Sequence, residues 1–266
     1  KHMTPEQALW FGDSFEKLAA NIERAILGKP AVIRLALTCL FSEGHLLLED
    51  VPGTGKTMLA KSLANAVQGT HSRIQFTPDL LPSDVTGTTI LNQRTHEFEF
   101  HHGPVFATIL LADEINRASP KTQSALLEVM EERQVTVDST PYLVPRPFIV
   151  LATQNPVEHD GTYNLPEAQI DRFMMRLAIG YPALEDEMSI IYSDVSPSAQ
   201  VDNLGAVVSA GDIRRMIALT DRIHIAPGLA QYIVRLTAAT RTMPELRLGV
   251  SPRGTLALAR ASRSYA

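Results

Sequence analysis

Cysteine is almost absent from this 266-residue chain: Cys39 stands alone, inside the apolar stretch Ile33–Phe41. One thiol makes no internal disulfide, and this setting reads as a small buried hydrophobe rather than a nucleophile. Long hydrophobic runs are missing too. None approaches the roughly 20 residues that a bilayer-spanning helix needs, so no transmembrane helix and no membrane insertion are expected. There is no basic excess: 24 Lys+Arg against 29 Asp+Glu leave a net charge of −5. That weakens a nucleic-acid role that neutralises many phosphates, while leaving a local basic stripe open. Internal repeats, low-complexity segments and a leader-peptide pattern are also lacking, and the expected location is cytoplasmic. With 45% hydrophobic and 20% charged residues, disordered and collagen-like chains are excluded. The length allows one large domain, or a large one with a small companion.

What is present alternates. Phe15, Leu18, Ala19, Ile22 and Ile26 recur at helical spacing, with Asp13 as the expected cap, Glu16 three residues on, and Gly28 as terminator. Ala31 to Phe41 reads as a buried helix, Leu46-Leu47-Leu48 as a strand, and Lys56 to Val67 as a helix. Thr108–Ala112 and Phe148–Ala152 are near-continuous apolar runs, the pattern of parallel strands covered on both faces. Between them a helix opens at Ser119-Pro120 and turns Leu126, Leu127 and Met130 inward. Thr88–Leu91 with Glu97–Phe100, and Gln134–Val137 with Tyr142–Val144, read either as hairpins or as extensions of the main sheet. After Tyr181-Pro182 the strand runs stop, and only helical patterns follow: Asp212–Arg222, Pro227–Arg241 and one opening at Ser251-Pro252. The expected division is an α/β body over 4–182, a linker over 183–202, with Ser193–Asp202 its best candidate, and a small helical domain over 203–266.

The stretch Asp50-Val51-Pro52-Gly53-Thr54-Gly55-Lys56-Thr57 joins a strand to a helix. Backbone amides in such a loop, with the helix N-terminus, cradle phosphate oxygens. Lys56 would reach the β- and γ-phosphates and the Thr57 hydroxyl would bind Mg²⁺. Asp50 occupies the slot where this loop pattern has its first glycine. The run Ile109–Ala112 ends in Asp113-Glu114, which puts two carboxylates at the C-terminal edge of the sheet, where open α/β sheets bind ligands. Asp113 would hold Mg²⁺ and Glu114 would act as general base toward a water. The strand from Phe148 delivers Gln154-Asn155 to the same edge; Asn155 either orients that water or, preceding Pro156, marks a turn. His96, His101 and His102 carry no ligand set of metal-binding spacing and read as a polar loop.

On these residues the sequence resembles the AAA+ ATPases, and within them the MoxR family. The resemblance extends over nearly the whole chain, through Leu47–Thr57, Phe76–Asp84, Asp113–Ala118, Ala152–Pro156 and Leu165–Phe173. It implies a three-layer αβα P-loop body with a parallel sheet, plus a small α-helical lid that looks shortened at its C-terminal end. It places Lys56 and Thr57 on Walker A, Asp113 and Glu114 on Walker B, and Asn155 on sensor 1. Arg172 falls on the arginine finger that serves the neighbouring subunit. Arg253 falls on sensor 2 and is expected to reach the γ-phosphate in its own subunit. Ile26-Leu27-Gly28 falls on the segment near the adenine, with Lys29 where glutamine is common, and the two hairpins on the helix-2 insert and the pre-sensor-1 hairpin. The implied function is Mg²⁺-dependent ATP hydrolysis by a homo-oligomer, a hexameric ring, that remodels or matures protein clients, often with a von Willebrand factor A-domain partner. The alternative is a nucleic-acid-stimulated motor or loader, against which the charge of −5 counts.

Overall fold

The computed structural model describes residues 3–49, 55–68, 70–156 and 161–266. The chain opens with α1 (Pro5–Glu23), α2 (Pro30–Phe41), β1 (Leu46–Glu49), α3 (Lys56–Ala66), the short β2 (Val67–Gln68) and β3 (His71–Gln75). Next come α4 (Pro82–Thr86), β4 (Gly87–Asn92), β5 (Glu97–His102), β6 (Ile109–Asp113) and α5 (Pro120–Glu132). Then follow β7 (Gln134–Val137), β8 (Thr140–Leu143), β9 (Ile149–Gln154), α6 (Glu167–Ile170) and β10 (Met175–Leu177). The rest is α7 (Leu184–Ile191), α8 (Pro197–Asp202), β11 (Val208–Ser209), α9 (Ala210–Thr220), α10 (Pro227–Thr240) and α11 (Pro252–Tyr265).

Five strands form one parallel sheet in the order β10-β1-β9-β6-β3. Side chains alternate across it with period two, and both faces are apolar. Leu46, Leu48, Ile109, Leu111, Ile149 and Leu151 meet α1, α2 and α3 on one face. Leu47, Leu110, Ala112, Val150 and Ala152 meet Leu126, Leu127 and Met130 of α5 on the other. The result is the expected three-layer arrangement. Cys39 is fully buried within it, and burial pushes its thiol up to about 12. No helix among the described residues is long and apolar enough to cross a membrane.

Several boundaries differ from expectation. α1 is capped by Thr4, whose hydroxyl accepts from the Gln7 amide while the Gln7 side chain accepts from the Thr4 N–H, at 3.3 and 3.1 Å. Asp13 therefore lies inside the helix; the reciprocal Thr4–Gln7 box with Pro5 at the first position starts the helix one stretch earlier. Both candidate hairpins are separate antiparallel pairs, β4 with β5 and β7 with β8, rather than additions to the main sheet. They brace each other through Phe100 and Tyr142, whose ring centres are 4.3 Å apart. His102 stacks on Phe106 at 4.1 Å.

The expected linker over 183–202 contains α7 and α8. Ser196 caps α8, with Pro197 at its first position, and Val201 packs with Ala25 and Leu204. Nor does packing divide at 203. β11 pairs with β2, and α9 delivers Ile213, Met216 and Ile217 into the core shared by α1, α2 and α3. Only α10 stands farther out, packed on α11, and the Thr255 hydroxyl donates to that of Thr237 between them at 2.9 Å.

His45, just before β1, is fully buried at the N-terminal edge of the sheet. Its Nδ1 accepts from the Val150 N–H at 3.0 Å and its Nε2 faces the Met130 carbonyl at 3.3 Å, which fixes a neutral ring protonated on Nε2. Burial pulls its pKa down to about 4, with the Arg133 charge adding to the effect. The unfolded chain therefore binds the proton more readily than the folded one. Stability is complete above the ordinary histidine range and falls as pH drops toward 4, by about 1.4 kcal/mol per pH unit and about 3 kcal/mol in all. Urea unfolding at about pH 7 and about pH 5 should show this loss, and His45→Gln should remove most of it. Equal pH slopes in the two proteins would refute the assignment.

Candidate functional site

Because β1, β6 and β9 run parallel, their C-terminal ends share one edge. The chain leaves β1 through Asp50, Val51, Pro52, Gly53 and Thr54, which lie outside the described residues. It is described again at Gly55, whose φ of +88° is left-handed. A Cβ there would meet nothing within 4 Å, so glycine is required for conformation rather than space. Lys56 opens α3, is buried, and donates from Nζ to Asn155 Oδ1. Thr57 Oγ1 donates to Asp113 Oδ1 at 3.0 Å. The same carboxylate oxygen accepts from Thr153 Oγ1 at 2.6 Å, and Asp113 Oδ2 pairs with Arg73 at 2.7 Å. Burial alone would raise the Asp113 pKa. The hydrogen bonds from Thr153, Arg73 and Thr57 outweigh it and hold the carboxyl below its ordinary range, so it is ionised at neutral pH.

Glu114 follows with a left-handed φ of 54° and donates its backbone N–H to Thr153 Oγ1 at 2.9 Å. One threonine hydroxyl thus fixes both acids. The Glu114 carboxylate turns toward the open edge, where Oε2 pairs with Arg117 at 3.2 Å and accepts from Gln75 Nε2 at 3.2 Å. Asn155 is anchored through its carbonyl, which accepts from Asn116 Nδ2 at 2.9 Å. Thr57 and Asp113 are hard oxygen donors of the kind that hold Mg²⁺ alongside phosphate oxygens, so these residues fit that ion.

Next to Gly55 opens a cleft of about 310 Å³, lined among others by Ile26, Leu27, Met58, Ile179 and Gly180. Its mainly apolar wall beside a helix N-terminus suits a planar base whose phosphates extend toward Lys56. Gly28 sits behind it with φ +70°, and a Cβ there would fall 1.9 Å from Asp186 Oδ2, so α7 packs directly on that glycine. Lys29 Nζ donates to the Tyr181 carbonyl at 2.8 Å and ties the segment to the stretch after β10.

The expected arginines lie elsewhere. Arg172 lies three residues before β10, which places it at the N-terminal edge of the sheet, and pairs with Glu131 at 3.0 Å. Arg253 was expected at the phosphates of its own subunit, and the structure corrects this. Its guanidinium pairs with Glu131 and lies 3.9 Å from Asp171, beside Arg172. The cause is the seating of α11, which packs along α2 and α9 rather than over the loop edge; Ser42 Oγ donates to the Arg260 carbonyl at 3.4 Å. Sequence reasoning also missed Arg73, Gln75 and Thr153 around the acids. Arg73 and Gln75 alternate on one face of β3, and Arg73 donates to Gln75 Oε1 at 3.0 Å. That i, i+2 polar pair next to an acid-ended strand was the available signal.

A lysine–threonine helix start facing paired acids on the same edge of a parallel αβα sheet is the arrangement of the P-loop class of nucleotide-binding proteins. A profile of the ATPase family associated with various cellular activities (AAA) matches residues 45–175. Chaperone MoxR1 of Mycobacterium tuberculosis is 45% identical over 264 residues, spanning 95% of this chain and 69% of that one. YeaC of Bacillus subtilis is 48% identical over 250 residues, with 94% and 78% covered. The solved structure of a proposed ATPase from Cytophaga hutchinsonii superposes with a TM-score of 0.84 at 38% identity, covering 97% of this chain and 81% of that one. The chain belongs to the MoxR family of AAA+ ATPases.

Proposed function

We propose that this protein hydrolyses ATP to ADP and phosphate with Mg²⁺, in a ring of its own copies, and uses the cycle to remodel protein clients. One observation carries the reading. Lys56, Thr57, Asp113 and Asn155 converge at one edge of the sheet, while Arg172 and Arg253 lie together at the other. Strands rise about 3.3 Å per residue, so the two edges are roughly 15 Å apart, well beyond an arginine side chain. Only a neighbouring copy brings the two halves together.

In this mechanism the cleft beside Gly55 takes the base and Lys56 leaves Asn155 to meet the β- and γ-phosphates. Thr57 and Asp113 would hold Mg²⁺, which supplies charge neutralisation between the phosphates. Glu114 accepts a proton from a water whose oxygen bonds to the γ-phosphorus. The bond from that phosphorus to the β–γ bridging oxygen breaks and ADP leaves. The Asn155 amide orients the water or the γ-phosphate. Arg172 and Arg253 of the adjacent copy stabilise the charge on the transferring group.

Client handling rests on the name of the chaperone relative and on the hairpins, which expose Ile90, Leu91, Phe98 and Leu143. A von Willebrand factor A-domain protein is the proposed partner. Lys56→Ala tests the assignment of the loop. Losing a charged hydrogen-bond donor should weaken ATP binding about 10- to 100-fold by calorimetry. Unchanged affinity would overturn it. Turnover that rises on adding duplex DNA and falls with salt would favour the nucleic-acid motor instead.

A further inference from the structure

Glu131, near the end of α5, receives two guanidinium groups from distant parts of the chain. Arg172 Nη2 lies 3.0 Å from Oε2, and Arg253 Nη2 pairs with Oε1. Asp171 completes the group: its Oδ2 accepts from Ser251 Oγ at 2.7 Å and lies 3.9 Å from Arg253 Nη1. Arg172 Nε is buried without a hydrogen-bond partner among the described residues, so the ion pair with Glu131 is what orients this head group. The cavity alongside, about 460 Å³, is also lined by Arg133, Arg260 and Arg263. Like charges gathered this closely repel one another. Glu43 takes up Arg133, at 3.0 Å, which leaves Glu131 and Asp171 to offset the mutual repulsion of Arg172 and Arg253.

We infer that Glu131 is a positioning residue for hydrolysis in the neighbouring copy. Its two carboxylate oxygens gather Arg172 and Arg253 into one forked cation and aim it at an incoming γ-phosphate. This rests on the proposal that the arginines act in trans. Without Glu131 both side chains remain, but the repelling head groups separate and each must be ordered again when subunits meet. The cost falls on the transition state, where placement matters most, and not on ATP binding at the opposite edge. Asp171, tied to Ser251, holds Arg253 only at long range and does not reach Arg172 in its place.

The test uses Glu131→Ala and Glu131→Gln in assembled protein. Glu131→Ala should lower kcat about 10- to 100-fold, with KM for ATP unchanged and the protein still folded and assembled. Glu131→Gln, which keeps an oxygen acceptor, should fall between it and wild type. Mixing supplies the readout that a purely structural role would not move. Glu131→Ala subunits keep an intact loop edge, so adding Glu114→Gln subunits should restore turnover, while adding Arg172→Ala subunits should not. Adding Glu131→Ala to Arg172→Ala in one chain should cost little more than Arg172→Ala alone. If Arg172→Ala and Glu114→Gln subunits rescue each other but Glu131→Ala turns over like wild type, the role of Glu131 falls and trans action stands. If that rescue fails in verified mixed assemblies, trans action falls and takes this inference with it.

Discussion

Glu114→Gln is expected to bind ATP as tightly as the wild type and to hydrolyse it about 10²- to 10⁴-fold more slowly, the range for loss of a positioned general base. The substitution is nearly isosteric. The Glu114 backbone N–H keeps its bond to Thr153 Oγ1, so neither the left-handed backbone nor Asp113 is disturbed. A glutamine side chain still accepts from Arg117 and Gln75 but takes no proton from water. Asp113 remains ionised beside Thr57, so the proposed metal and phosphate contacts are expected to survive. Calorimetry with ATP and phosphate release under saturating nucleotide check the two halves separately. Retained turnover would remove Glu114 from the chemistry; lost binding would mean that its charge holds the edge together rather than acting on water.

The parts of the site readable from sequence are those whose chemistry is local. Gly55-Lys56-Thr57 carries its own turn, charge and hydroxyl within three residues, and Asp113-Glu114 closes an apolar run that can only be a buried strand. The central strands were legible because both of their faces are covered. The edge strands were not. His71-Ser72-Arg73-Ile74-Gln75 and Met175-Arg176-Leu177 lack an apolar run, since one side of each faces solvent or polar groups, and with β3 went Arg73 and Gln75. The Ser and Pro taken for a linker are a cap and a first helical position: Ser196 Oγ accepts from the Ala199 N–H at 3.3 Å. The placement of Arg253 failed for a different reason. The amphipathic pattern of α11 says that it packs, but not on which face of the body. Only contact with α2 and α9 decides that, and so carries Arg253 to the far edge.

Arg172→Ala is expected to leave ATP binding intact and to cut turnover about 10³- to 10⁵-fold, the range for an arginine supplied to a transferring phosphoryl group. The same geometry predicts a dependence on concentration. Arg172 lies three residues before the start of β10, Lys56 at the opposite edge beyond the end of β1, and the two strands run parallel, Leu46 beside Met175. No rotamer of Arg172 spans the strand length between them, so under the proposed mechanism a lone subunit has the water-activating half of the site without the charge-stabilising half. Wild-type specific activity should therefore fall on dilution through the concentration at which the assembly dissociates, and Arg172→Ala should be low and flat over the same range. Sedimentation of both proteins with ATP separates lost chemistry from lost assembly. If the variant assembles like wild type and remains slow, the guanidinium acts on the nucleotide. If wild-type activity per subunit stays constant through dissociation, each subunit is complete and the two-edge arrangement has no part in hydrolysis. Arg253→Ala should move in the same direction by less. Glu131 still holds Arg172 when Arg253 is gone, and Arg172 is the less exposed of the two guanidinium groups.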